Sequence, residues 1–132
     1  MGTPVKDRAA MIAGMAPQLS ETIWHFCTGA EADPAGALAV FEESEGRSLI
    51  LSDEDARARG YDLGQPMAQI TLTVHSALDG VGLTAAVAGA LAEAEIPCNM
   101  VAAFHHDHAF VPWEMRARAM EILQRLAGAG AP

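Results

Sequence analysis

The sequence predicts an α+β fold, an antiparallel sheet carrying helices on one face and built from two related units. Two observations carry this reading. Residues 70–112 run strand, glycine-bearing loop, helix, strand, tight turn, strand, and end where another helix can begin. The first half follows roughly the same plan without its opening strand: helix, strand, hairpin, short helix. The joint falls at Gln65-Pro66, giving units 1–65 and 66–132. Neither half is large enough to bury a good core alone, so the two should pack as one body.

In chain order, Thr3 is placed to cap a helix with Pro4 at its first helical position. Val5, Ala9, Ile12 and Met15 would form its buried stripe, with Gly14 and Pro17 bracketing its end. Residues 22–27 have the β-branched and aromatic content of a strand. The small and acidic stretch 28–36 reads as a loop and is expected to be the most mobile segment. Two strands follow at 38–42 and 48–51, with Glu45-Gly46 as the hairpin signal because glycine accepts a positive φ. Ser52 then opens a short helix in a capping-box pattern, which Gly60 terminates.

In the second half, Ile70, Leu72 and Val74 alternate with Thr71, Thr73 and His75, the period of a strand with one buried face. Leu83, Ala86, Val87, Ala90, Leu91 and Ala94 fall at helical spacing. After the strand pair, Pro112-Trp113-Glu114 starts the last helix, with Met115, Ala119, Ile122, Leu123 and Leu126 on its apolar side.

Composition narrows the function. With 132 residues and a hydrophobic fraction of 51%, the chain can supply a core and is not of disordered type. A net charge of −9 argues against nucleic acid, whose phosphates are held by clustered Lys and Arg. Arg57, Arg59, Arg116, Arg118 and Arg125 are scattered and read as solvated helix faces. Cys27 and Cys98 form no CxxC pair and read as free thiols in a reducing compartment. No run approaches the roughly 20 apolar residues of a membrane span, and no leader pattern opens the chain. A soluble cytoplasmic protein is expected.

The segments VHSALDGVGLTAAVAGALAEAEIPCNMVAAFHHDHAFVP and FEESEGRSLILSDEDA resemble a bacterial family of ACT-like proteins of uncharacterised function. The resemblance covers most of the chain. It implies a ferredoxin-like fold of two ACT-like units and a non-catalytic regulatory role, with an amino acid or similar metabolite as ligand. A homo-oligomer, a dimer in the first instance, is implied as well. In ACT domains the loop after the first strand and the start of the next helix bind the ligand. Here those positions are Ser76, Asp79, Gly80, Val81, Gly82 and Leu83, with Asn99 and Met100 opening the strand that commonly faces them. The chain is read as a standalone module with no enzyme domain attached.

The loop chemistry agrees with that role. A helix start carries unpaired N–H donors and partial positive charge, so a carboxylate can dock there. Asp79 is placed either to meet an α-ammonium group or to cap the helix. Gly82 lies at the helix edge, where a helical φ would suit any residue. The same glycines would also serve a turn that only has to be tight.

The run His105-His106-Asp107-His108 carries metal-ligand residue types, with His75 as a further donor. In extended backbone His106 and His108 point one way and His105 the other, so a hairpin turn is the competing reading. No catalytic motif is present: Ser76 and His75 diverge across a strand, and Glu42, Glu43 and Glu45 flank a hairpin. Trp24 and Trp113 read as core or interface aromatics. No enzyme activity, cofactor or metal is assigned. The alternatives are a ligand-free assembly module pairing with another copy, and a metal-binding protein using the His run.

Overall fold

A computed structural model describes residues 14–73 and 82–129. Its strands are β1 (Pro17–Leu19), β2 (Trp24–Gly29), β3 (Ala39–Glu43), β4 (Gly46–Ser52), β5 (Met67–Leu72), β6 (Asn99–Ala102) and β7 (Asp107–Pro112). The helices are α1 (Asp53–Ala58), α2 (Leu83–Glu93) and α3 (Arg116–Ala129), the last entered through a 3₁₀ turn at Trp113–Met115. The helix expected from Thr3 onward and the end of the strand at Val74 and His75 lie outside the described residues.

Among the described residues the strands form one seven-stranded sheet in the order β3-β4-β2-β5-β7-β6, with β1 also pairing to β5. Every pairing is antiparallel. The strand β1 was not foreseen, because Pro17 reads as a helix stop. Three residues are too few to show a period of two, and proline is tolerated at the first position of a strand. Pro17, Gln18 and Leu19 pair with Leu72, Thr71 and Ile70, and β2 rejoins the same strand at Trp24↔Met67. Between these contacts residues 20–23 bend away, anchored where Ser20 N donates to Gln69 O at 2.9 Å. Thus β5 holds the sheet together. It lies beside β1 and β7 along most of its length and touches β2 at its beginning.

Alternation sorts the side chains. Ala68, Ile70 and Leu72 are fully buried on one face, packed with Leu83, Val87 and Leu91 of α2 and with Ala119 and Leu123 of α3. Cys27, Leu49 and Leu51 bury on that same face beneath Ala56 of α1. The register therefore sets all the described helices on one side, as the sequence predicts. Among the described residues no helix covers the opposite, open face. Met67, Ile50 and Phe110 cluster there, and Val101 of β6 packs against them together with Trp24 and Ala39. Phe26 meets Phe110 edge-on at 5.6 Å between centroids.

Local chemistry accounts for the turns. Ser52 caps α1, its hydroxyl accepting from Asp55 N at 3.1 Å. Gly46 has φ +147, and a Cβ there would stand 3.4 Å from the backbone of Gly29 and Ala30, so glycine is required. The 28–36 loop is more tightly held than its composition suggests. Arg47 donates to Ala32 O at 2.8 Å and Arg59 donates to Asp33 O at 2.8 Å and to Ala35 O. Arg59 is thus a loop anchor, not the solvated charge the sequence implies, and Arg57 pairs with Asp53 at 2.9 Å.

Candidate functional site

The start of α2 is headed by a left-handed glycine. Gly82 precedes the helix in a left-handed conformation, φ 102 and ψ −27, and its carbonyl accepts from Ala86 N at 2.8 Å. The first turn holds no acidic residue, and Gly82 brings no side chain to cap it. The partial positive charge of the first turn is therefore not offset by its own residues. The left-handed φ corrects one expectation: Gly82 does not sit where any residue would serve, because a Cβ is strained there.

The remaining sequence-derived candidates are placed as follows. Ser76, Asp79, Gly80 and Val81 lie outside the described residues. Leu83 is buried, so its side chain belongs to the core and only its backbone faces the helix start. Met100 pairs with Ala109 and packs against the same core. Asn99 is exposed opposite Phe110, and alternation turns its side chain to the open face of the sheet. Gly82, Leu83 and Met100 thus share the helix-bearing side, and Asn99 does not.

His105 and His106 lie in the β6–β7 turn, closed by Ala103 N donating to His106 O at 3.0 Å, and Asp107 and His108 begin β7. Among the described residues no three His, Cys, Asp or Glu side chains gather as a metal would need. His108 instead lies across the open face of β5. Its Nδ1 is 3.1 Å from the Gln69 amide nitrogen and 3.0 Å from the Thr71 hydroxyl. With the Gln69 amide nitrogen as donor, Nδ1 is the acceptor. Burial pushes the His108 pKa down, nearby His106 adds to this, and Asp107 opposes it. Burial and His106 thus favour the neutral ring.

One polar contact escaped sequence reasoning. His25, buried in β2, brings Nε2 within 2.7 Å of Asp53 Oδ1 at the start of α1. The hydrogen bond from Arg57 and then that from His25 hold the Asp53 carboxyl below the usual carboxylate range. A lone histidine between Trp24 and Phe26 gives no sign of an acidic partner far along the chain. The thiols carry no such network: burial pushes both Cys27 and Cys98 up, away from the reactive thiolate.

Comparison with known proteins agrees with this architecture. Two ACT-domain profiles match, one over residues 3–68 and one over residues 66–125. The chain belongs to the ACT-domain family. Its sheet and helices are those of the ferredoxin-like ACT fold. A protein of unknown function from Vibrio cholerae, described as a possible transport protein, is 36% identical with a TM-score of 0.82. That match covers 95% of this chain and 99% of the other. A protein from Agobacterium tumefaciens matches at 16% identity and TM-score 0.71, covering 86% of this ACT chain and 89% of its own. The regulatory subunit of aspartate kinase from Thermus flavus matches at 10% identity and TM-score 0.56 over 86% and 96%. At those identities the last two bear on fold alone. No functionally curated protein matches the sequence. No described helix is long and apolar enough to cross a membrane.

Proposed function

We propose that this ACT protein is a non-catalytic regulatory module that binds a free amino acid or similar small metabolite. The ligand would dock where the loop containing Ser76, Asp79, Gly80 and Val81 meets Gly82 and Leu83, beside the strand opened by Asn99 and Met100. The observation that carries this reading is the left-handed Gly82 heading α2, a first turn with no acidic residue of its own. A ligand carboxylate would meet the amides there, and Asp79 would meet the ammonium group. The units 1–65 and 66–132 would act as one body, a reading supported by β1 pairing with β5.

Thermal shift against the standard amino acids tests it. One or a few should stabilise the protein in a concentration-dependent way, since binding to the native state alone raises the melting temperature. Calorimetric titration of the best stabiliser then gives stoichiometry. No stabiliser in the set would discard the amino-acid reading.

A second reading, assembly with another copy in the cytoplasm, is favoured by Phe26 and Phe41, 44% and 67% exposed near the β3 edge of the sheet. Native mass spectrometry of the wild type and of Phe41→Glu tests this. A dimer lost in the variant supports it, and a monomeric wild type at micromolar concentration rejects it.

A further inference from the structure

On the side of β5 where β1 ends, the chain passes Leu19, Ser20 and Glu21 just as the end of β7 turns into α3 through Trp113 and Arg116. These five residues line a groove of about 250 Å³. Its lining carries opposite charges, and one of them, the Arg116 guanidinium, is already held in place. The Arg116 guanidinium lies over the Trp113 ring, 3.9 Å from the centroid, and Nη1 donates to Trp113 O at 2.8 Å. This leaves its other N–H donors for a ligand, and a stacked guanidinium has lost rotamer freedom in advance. Arg116 also opens α3, whose N-terminal partial charge has the same sign. Glu21 lines the same groove and is exposed, and it follows Ser20, whose Oγ accepts from Thr22 N at 3.1 Å. Leu19 and Trp113 both pack against the main core, which gives the groove an apolar floor.

Arg116 and Glu21 do not pair with each other. Among the described residues the ion pairs are His25–Asp53, Arg47–Glu42, Arg57–Asp53 and Arg125–Glu121. A cation and an anion thus face one shallow groove with hydrocarbon between them. A molecule carrying both charges next to an apolar group is the complement. The volume lies just under the roughly 300 Å³ at which sites for drug-sized ligands begin, and suits a smaller metabolite.

We propose that this groove is a second binding site, for an α-amino acid with an apolar side chain. Arg116 receives the carboxylate, Glu21 receives the ammonium group, and Leu19 and Trp113 receive the side chain. It uses none of the residues proposed for the loop site at the start of α2.

The chain carries two tryptophans, and Trp24 lies on the open face of the sheet, so the indole N–H of Trp113 is a local reporter. L-leucine is titrated while both indole resonances are followed by ¹H–¹⁵N NMR, with Trp24→Phe used for assignment. The Trp113 resonance should shift saturably. 4-Methylpentanoate, which lacks the ammonium group, and isopentylamine, which lacks the carboxylate, should each bind at least tenfold more weakly. Arg116→Gln and, at an exposed position less able to disturb folding, Glu21→Gln should do the same. Asp79→Asn should leave the leucine response intact, whatever it does at the loop. A Trp113 resonance that does not move, equal binding of leucine and its two fragments, or a wild-type response in Glu21→Gln would overturn the proposal. Loss of the response in Asp79→Asn would assign the leucine to the loop instead.

Discussion

His25 Nε2 and Asp53 Oδ1 lie 2.7 Å apart, joining the buried side of β2 to the first turn of α1. Asp53 also accepts from Arg57 Nε at 2.9 Å, so one carboxylate ties a core histidine to a surface arginine. His25 thereby obtains a partner for one ring nitrogen inside a sheet that offers it none by strand pairing.

That pairing predicts an acid limb in stability. The Asp53 pKa is lowered on folding, first by Arg57 and then by His25. Its contribution is present above the unfolded carboxylate value of about 3.9 and is lost as pH falls through the folded value. Urea melts from pH 6 to pH 3 should show stability declining below about pH 4 in the wild type. Asp53→Asn should flatten that part of the curve. Parallel curves for the two proteins would remove Asp53 as the cause.

His108 gives a second window at higher pH. Its pKa is lowered by burial on folding, so between the folded value and about 6.5 the unfolded chain holds more protons. Stability should therefore fall as pH drops from 7.5 to 5.5, and His108→Gln should reduce the slope. NMR titration of the His108 ring checks the sign directly, since a midpoint above that of a histidine peptide contradicts the neutral assignment.

Glu95, just past the Ala94 cap of α2, has φ 60, and Ile96 N returns to Leu91 O at 2.9 Å in the closing turn. Glycine is the residue that occupies this position without strain. Glu95→Gly should stabilise the protein by about 0.5–1 kcal/mol, the left-handed cost less the added freedom of the unfolded chain. Urea melts measure it, and a destabilised variant would mean that Glu95 makes a contact worth more than the strain.

Gly82 is the mirror case. At φ 102 it should not accept a side chain, so Gly82→Ala should cost about 1–2 kcal/mol of folding free energy. A test of the loop ligand must therefore rest on Asp79→Asn, which removes the charge and keeps a side-chain oxygen. Affinity for the amino acid found by thermal shift should fall by about 1–3 kcal/mol if Asp79 pairs with the ammonium group in a desolvated site. Unchanged affinity by calorimetry would move the ammonium group elsewhere.

Residues 66–132 expressed alone should give no cooperative melt. In that fragment β5 loses Pro17, Gln18 and Leu19 from one edge, and Ile70 and Leu72 lose the cover of Met15 and Leu19. A melt by circular dichroism as sharp and as high as that of the whole chain would show the second unit to be self-sufficient.

The second half was legible because its patterns are local. Ile70 and Leu72 announce their strand by alternation, and Leu83, Val87 and Leu91 announce α2 by recurring about once per turn. Ser52 and Gly46 carry backbone chemistry that only a cap and a hairpin demand. The strand β1 was not legible. Pro17, Gln18 and Leu19 have no period, and they are a strand only because β5 offers them a free edge.

By itself the sequence determined the α+β class, the element types of the second half, the buried side of the strand carrying Ile70 and Leu72, and membership of a family. The first three follow from interactions within a few residues, and the last from the resemblance of two long segments to known relatives. Only the tertiary structure decided that β5 serves both parts of the sheet, that Asp53 reaches His25, and that Glu21 faces the same groove as Arg116. Those partners lie far apart in the chain. No local pattern records them, because burial and hydrogen bonding reward whatever group the fold brings close.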